Sequence, residues 1–433
     1  MKNISIFLFL MIAMIASCVQ AQELLTPENA VDIALKNNFE ILVARNEADV
    51  AQINNTKGNA GMLPTINVNG SGDYSFNNVY QKLSSGSINK YTSQSSTSVA
   101  ANTELSWTLY DGGKMFITKN KLAEMQALGE LQFQSKVLEL TYNVVTAYYD
   151  IVRQKQQLKS MNEAINYNKE RVIIAQTGFN AGSLAKTDFL QAKIDLNVAM
   201  ENAINQQYAI SEAQKTLNSM LGKDPNAAFE VSDSIPLSYI PNKDELMLKL
   251  NSSNASILSF KKQIEVARLV VKETQKAYSP NLSFKGGYYI SQTTNSEGST
   301  LKNRSYGPQV GGTLSIPLYN GGETKRKISV AKKELQSAEY NLDNVKLQAN
   351  TELQNALIDF ENQQLLLQIE KENNQLTKEN MEISLQRLRL GQTTSLEVHQ
   401  AQESYVQSST RLLNFEYNLK IGETKLKQLV SSL

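Results

Sequence analysis

From Pro64 onward the chain alternates between apolar and polar residues. Ile66, Val68, Tyr74 and Phe76, with Gly70 and Gly72 between them, take the even positions, while Thr65, Asn67, Asn69, Ser71, Asp73 and Ser75 take the odd ones. A period of two sustained over about a dozen residues predicts a β-strand with one apolar and one polar face. A second run sets Val99, Ala101, Leu105, Trp107 and Leu109 against Ser98, Asn102, Glu104 and Ser106. Two later runs repeat the pattern. Leu282, Phe284, Tyr288 and Ile290 oppose Asn281, Ser283, Lys285 and Ser291, and Val310, Leu314, Ile316 and Leu318 oppose Gln309, Thr313 and Ser315. Every charge in these four predicted strands falls on the polar face.

Two structures satisfy this alternation. One is an amphipathic sheet packed on a soluble core; the other is a transmembrane barrel, in which about 10 residues tilted by roughly 40° cover a ~25 Å apolar band around a polar interior. The strands have barrel length, their apolar faces end in aromatics (Tyr74, Phe76, Trp107), and the connecting segments 77–95 and 292–305 are rich in Ser, Asn and Gly. These features favour the barrel. Four strands cannot close one, because an open edge in lipid leaves backbone groups unpaired. Several chains must then share a single barrel.

Between the strand pairs the period changes. Residues 113–178 and 322–390 contain no Pro and are rich in Leu, Ala, Glu, Gln and Lys, which predicts helices of about 100 Å at 1.5 Å per residue. Apolar residues recur at intervals of seven, as in Leu131, Leu138, Val145 and Val152, then Ile369, Leu376, Ile383 and Leu390. That is the spacing of coiled-coil packing against partner helices. Each long helix ends near a glycine, Gly182 or Gly391, where a turn reverses it into a shorter partner.

The order of elements occurs twice. Pro64 and Pro280 open corresponding strands, Leu109-Tyr110-Asp111-Gly112-Gly113 matches Leu318-Tyr319-Asn320-Gly321-Gly322 at a distance of 209 residues, and Gly182 matches Gly391 at the same distance. The chain is therefore an internal duplication. The first repeat covers 22–221 (helix, β-hairpin 64–110, helical hairpin 113–221), and the second covers 246–433 (helix, β-hairpin 280–319, helical hairpin 322–431). A linker at 222–245 holding Pro225, Pro236 and Pro241 joins them.

Composition narrows the chemistry. With 43 Lys+Arg against 42 Asp+Glu the chain lacks the basic excess of a nucleic-acid binder. One His and one Cys leave no set of residues for a metal centre or a nucleophilic triad, so no cofactor and no enzymatic activity are expected. Lys2, the apolar stretch Ile4–Ala16 and the small-residue site Val19-Gln20-Ala21 read as an export signal spanning 1–21. The alternative is that Ile15-Ala16-Ser17-Cys18 is a lipobox and Cys18 is lipidated.

At this point the residues resemble the TolC family of outer-membrane efflux proteins over nearly the whole mature chain, from Leu24 to Val430. The motifs are the opening Leu25-Thr26-Pro27-Glu28-Asn29-Ala30, the Pro64 and Pro280 strand starts, the two Tyr-Asp/Asn-Gly-Gly segments, and the tips Phe179-Asn180-Ala181-Gly182 and Leu388-Arg389-Leu390-Gly391. The resemblance implies a mainly α fold with transmembrane β-structure: a homotrimer with one 12-stranded β-barrel, four strands per chain, continued by a coiled-coil helical tunnel through the periplasm. It also implies a passive exit duct for small molecules or proteins, joined to a periplasmic adaptor and an inner-membrane pump of RND, ABC or MFS type, in tripartite efflux or type I secretion. An envelope protein with a purely structural coiled coil is the alternative, and the four alternating strands argue against it.

The resemblance places the adaptor-facing tips at Gly182 and Gly391. The periplasmic entrance then lies at Asp188, with Thr187 beside it, and at its repeat counterpart Glu397, with Gln400 nearby. Three chains would bring six carboxylates to this end, favouring cations over anions; the alternative is a pair of solvated helix-face acids. The best-known family member has an Arg just after the second tip glycine, where this chain has Thr393. Arg387 and Arg389, one turn earlier, are placed to pair with Asp188 of a neighbouring hairpin. His399 lies near the same tip, either as a pH sensor or as an ordinary helix-face residue. The pairs Gly112-Gly113 and Gly321-Gly322 lack the spacing of a phosphate loop and are read as strand-to-helix bends.

Overall fold

The computed structural model describes residues 24–433; the expected export signal and Cys18 lie outside the described residues. The elements run α1 (Pro27–Asn37), α2 (Phe39–Asn54), β1 (Thr65–Lys82), β2 (Ile88–Tyr110), α3 (Lys114–Asn180), α4 (Lys186–Met220), α5 (Lys243–Ser253), α6 (Ala255–Gln275), β3 (Asn281–Asn295), β4 (Lys302–Ser315), α7 (Glu323–Arg389) and α8 (Ser395–Leu429). Both long helices have 67 residues and both returning helices have 35, so the duplication is preserved to the residue in the helical hairpins. No helix among the described residues is long and apolar enough to cross a membrane.

The sequence repeats are not the compact units. One unit is helical and gathers residues up to Asn46, Leu131–Leu258 and Asn344–Leu433; the other gathers Glu47–Glu130 and Ser259–Asp343 and holds all four strands. Each unit draws on both repeats.

In the helical unit, Thr26 caps α1 by accepting from the Asn29 N–H, with Pro27 in the first turn, where its missing N–H has no cost. Asn242 caps α5 through the Asp244 and Glu245 N–H groups. Two asparagines at the breaks between short helices do the same job in each repeat. Asn38 Oδ1 accepts from the Glu40 and Ile41 N–H groups while its Nδ2 donates to Met220 O, 2.9 Å, at the end of α4. Asn254 Oδ1 accepts from the Ile257 N–H while its Nδ2 donates to Leu429 O, 2.8 Å, at the end of α8. Each thus starts one helix and satisfies an orphan carbonyl at the end of another.

The segment expected to be a linker is part of this core. Phe229, Val231 and Ile235 are buried with Tyr148, Val152, Leu217 and Leu25, and the Tyr148 hydroxyl donates to Leu25 O at 2.8 Å and accepts from the Ser232 N–H at 3.0 Å. Its prolines prevent regular structure, but the apolar residues between them still need burial.

The seven-residue stripes divide. Val152 is buried and Leu131, Leu138 and Val145 are half-buried, whereas Ile369, Leu376, Ile383 and Leu390 are 58%, 56%, 48% and 70% exposed. The α7 stripe therefore finds no partner helix within the chain. The intrachain seam of α7 is a second stripe of the same period, Leu353, Phe360, Leu367, Met381 and Leu388, all buried. It is offset by two residues, about 200° around the helix. On the other hairpin, α4 leaves Leu190, Ile194, Ile204 and Tyr208 exposed.

In the sheet unit the strands form one antiparallel sheet in the order β1-β2-β3-β4. The register assembles the apolar residues in rows on one face, such as Ile66–Leu105–Gly286–Val310 and Val68–Thr103–Tyr288–Pro308. The opposite face carries Asn67–Glu104–Gly287–Gln309. Along β2 the usual relation of polarity to exposure is reversed: Asn102, Glu104 and Ser106 are half-covered, while Val99, Trp107 and Leu109 are 57%, 39% and 46% exposed. A sheet packed on a soluble core within the chain would bury its apolar face, and this one leaves it exposed.

The strands run further than alternation predicts. β1 reaches Lys82 and β2 begins at Ile88, so the expected loop 77–95 shrinks to 83–87, and the second loop shrinks from 292–305 to 296–301. These extensions are rich in Ser, Thr, Asn and Gln on both faces, so the backbone ladder continues where the hydrophobic period has ended. At the other end β4 stops at Ser315, before Pro317, which has no N–H to give the ladder. Gly112, Gly113, Gly321 and Gly322 have φ of +73°, +81°, +65° and +79° at the two strand-to-helix junctions. A Cβ on Gly112 would come within 2.1 Å of the Ser279 Cβ, so this bend is closed to other residues on two grounds.

Candidate functional site

Two places combine exposure with chemistry: the tips of the helical hairpins and the faces of the sheet. At the first tip Gly182 takes φ +73°, its N–H donates to Phe179 O, and the Ser183 N–H donates to Gly178 O. Phe179 stacks on Phe189 of α4 with ring centroids 6.3 Å apart. At the second tip Gly391 takes φ +70°, its N–H donates to Leu388 O, and the Gln392 N–H donates to Arg387 O. Both are left-handed helix stops that need a residue without a Cβ.

The two repeat-equivalent acids have different surroundings. Thr394 caps α8 by accepting from the Glu397 N–H at 3.3 Å, and the Glu397 carboxylate receives Arg387 NH1 at 3.0 Å and the Thr393 hydroxyl. Glu397 is therefore a capped first-turn residue with its charge compensated by Arg387. Asp188 lies half-buried in the first turn of α4, and among the described residues it has no ion-pair partner. Arg389 pairs with Glu170 of α3. Within the chain, then, Arg387 and Arg389 meet Glu397 and Glu170, and neither meets Asp188. Thr187 and Gln400 are exposed beside these acids.

Eleven residues before Gly182, a network links three helices that sequence reasoning did not connect. The Arg171 side chain is 1% exposed; its NH2 meets Asp195 of α4, its NH1 donates to Gln402 Oε1 of α8 at 2.9 Å, and Asn168 Oδ1 lies at 3.5 Å. His399 Nδ1 approaches the same Asp195 carboxylate at 3.2 Å. Here α4 and α8 are tied together across α3. His399, one of two readings above, is thus neither isolated nor on a free helix face. The signal lay in the pattern: Ile165, Asn168, Arg171 and Ala175 share helical spacing, so a charge sits on the buried stripe of α3.

Farther along, the α7–α8 seam carries a second buried charge. Glu370 accepts from Ser408 Oγ at 2.7 Å and from Arg411 Nε and NH2 at 3.2 and 3.0 Å, and Asn374 Nδ2 donates to Ser409 Oγ at 2.9 Å. Burial alone would raise the Glu370 carboxyl, but the Arg411 and Ser408 hydrogen bonds and the guanidinium charge outweigh it and hold it below its ordinary value of 4.5. A carboxyl depressed in the folded state adds stability that is fully present above the ordinary value and is lost as pH falls through the folded one. Wild-type protein is therefore expected to lose hairpin stability on acidification below that value. E370Q removes this part of the slope, which thermal unfolding of both proteins across the acid range checks; parallel pH curves would refute it.

On the sheet, the polar face holds the exposed Lys285–Glu104 pair at 3.5 Å, and Tyr289 reaches Ser305 Oγ at 3.1 Å. At Gly287 a Cβ would lie 2.2 Å from Thr103 O, so β2 and β3 approach closely only because this position carries no side chain.

Known proteins share this fold. The profile of the outer membrane efflux protein family matches residues 30–223 and 246–432, one segment for each repeat. The chain is 24% identical over 322 residues to alkaline protease secretion protein AprF of Pseudomonas aeruginosa, a match covering 72% of this chain and 65% of that protein. It is 21% identical over 359 residues to proteases secretion protein PrtF of Dickeya chrysanthemi, covering 79% and 74% respectively. The crystal structure of the outer membrane protein VceC of Vibrio cholerae superposes with a TM-score of 0.76 at 16% identity, over 93% of this chain and 95% of that one. With both halves of its duplication matched and the TolC-like fold reproduced along its length, the chain belongs to the outer membrane efflux protein family.

Proposed function

We propose that three copies of the chain close one 12-stranded barrel in the outer membrane and form a passive exit duct, with the helical hairpins reaching into the periplasm. The observation that carries this reading is the sheet with an exposed apolar face and two open edges, β1 and β4. In lipid neither edge can remain unpaired, and pairing β4 of one copy with β1 of the next satisfies both at once. The apolar stripes on α4 and α7, which nothing in the chain covers, support the same closure, because neighbouring copies would bury them.

The duct works with a periplasmic adaptor at the Gly182 and Gly391 tips and with an inner-membrane pump that supplies the energy. Protein secretion and small-molecule efflux are both open to it; the relatives named for protease secretion favour the former. The mass of the particle extracted from membranes in mild detergent tests the reading. Three chains per particle support it, and a monomer that stays soluble without detergent overturns it.

Asp188 is the acid we place at the entrance. Because Glu397 is compensated by Arg387, the expected ring of six carboxylates reduces to three uncompensated ones. D188N is expected to lower the cation preference of the reconstituted channel, and E397N is expected to change it little. A reversal potential in a salt gradient that does not move for D188N would exclude Asp188 from the conduction path.

A further inference from the structure

The strand register sorts the charges of the sheet by face. Asp73, Glu104 and Lys285 are on the polar face, with Asn67, Asn69 and Gln309. On the apolar face are Lys82, Lys90, Lys302 and Arg304, since Lys82 pairs with Ile88, Lys90 with Tyr80, Lys302 with Thr294 and Arg304 with Gln292. This division leaves the apolar face with cations alone. All four lie toward the hairpin loops 83–87 and 296–301, in the strand extensions beyond the alternating segments or at their margin. The other end of the same face, next to the helices, carries Ile66, Trp107, Phe284 and Leu314 and no charge.

Each pair of cations has a tyrosine beside it. Lys90 Nζ is 5.6 Å from the centre of the Tyr80 ring, and Arg304 Cζ is 5.9 Å from that of Tyr306. The aromatic ring lies at the level where an apolar band gives way to headgroups, and the long stems of Lys and Arg carry their charge past it. Such a rim of one sign on one side of the band, and a neutral rim on the other, complements a leaflet whose headgroups are anionic on the loop side only.

We infer that Lys82, Lys90, Lys302 and Arg304 form a binding rim for the phosphate groups of a phosphorylated glycolipid in the outer leaflet. The inference rests on the barrel reading above. In the closed barrel β4 of one copy borders β1 of the next, so each of the three seams has Lys302 and Arg304 on one side and Lys82, with Lys90 on the following strand, on the other. Phosphate monoesters suit the site because they carry close to two charges and accept several charge-assisted hydrogen bonds at once.

The test uses the full-length trimer in mild detergent and native mass spectrometry, with bisphosphorylated lipid A and the same glycolipid stripped of its phosphates as probes. Wild-type trimer is expected to hold the phosphorylated lipid at least about tenfold more tightly, the equivalent of one charge-assisted hydrogen bond or more per site. K82Q/K90Q/K302Q/R304Q should lose that preference and K285Q, on the polar face, should keep it. The half-variants K82Q/K90Q and K302Q/R304Q should each weaken it, which keeps the test decisive where the fourfold variant assembles poorly. Equal affinity of the wild type for both lipids, or an undiminished preference in the variants, overturns the inference. Lipid preference is read only on particles with the mass of three chains, so failure of the duct itself is seen separately.

Discussion

R171M is expected to destabilise the helical unit by about 3–5 kcal/mol, the cost of leaving one member of a buried ion pair without its partner. Arg171 is 1% exposed and the Asp195 side chain 11%, so water does little to replace the lost guanidinium. Its removal leaves the Asp195 carboxylate with His399 as its remaining neighbour in the network and frees Gln402 of α8. The double variant R171M/D195L should recover much of the loss, because an apolar pair of similar volume carries no desolvation penalty. Denaturant unfolding of the two single variants and the double variant checks this as a thermodynamic cycle. If the losses simply add, the residues are not coupled. The cycle also bears on the proposed duct, since the network ties α4 to α8 near the tips; R171M should raise the open probability of reconstituted channels, and D195L should do the same.

The order of elements was legible because each long-range feature of the fold has a strong local signal. Period-two alternation marks strands, the Pro-free stretches mark helices, and Gly182 and Gly391 mark tips where only a left-handed residue fits. Barrel topology followed from the strand count, since four strands cannot satisfy their edges alone. What periodicity could not reveal was which neighbour a stripe meets. Leu367 and Ile369 carry equivalent heptad signals, yet one is buried in the chain and the other is 58% exposed. A seven-residue repeat specifies that an apolar surface exists on the helix and says nothing of whether its partner is in the same chain.

The candidate entrance was read with the same limits. Asp188 and Glu397 are equivalent by repeat position, but the second repeat has Thr394 to cap the helix and Arg387 within reach, whereas the first has Ala185 and offers Asp188 no cation. Equivalence in sequence therefore did not imply equivalence in charge. The Arg171 network is formed by residues 228 and 231 positions apart, and such pairings leave no trace in local pattern beyond a charge where an apolar residue is due. Asn38 and Asn254 were missed for a related reason. Each reads as a polar residue in a short break between helices, and its bond to the end of the returning hairpin spans 182 or 175 residues.

Tyr288 and Tyr289 offer the sharpest test of which sheet face meets lipid, because adjacent residues of the same type lie on opposite faces. Tyr288 shares a row with Val68, Thr103 and Pro308, midway along the apolar face, and Tyr289 shares one with Asn102 and Gly307 on the polar face. Y288R is expected to cost about 2–4 kcal/mol per chain, the penalty for an arginine near the middle of the bilayer. With three copies in one barrel that becomes about 6–12 kcal/mol, enough to prevent assembly of a particle whose stability is of that order. Y289R instead places its charge in a polar lumen and loses only the bond to Ser305 Oγ, about 1 kcal/mol. The yield of folded trimer in outer membranes, and guanidinium unfolding after reconstitution into vesicles, should rank wild type and Y289R close together and Y288R far below. The reverse ranking would mean that the polar face points outward. Equal damage from both would mean that the sheet is packed on protein on each side, and neither result is compatible with a barrel in lipid.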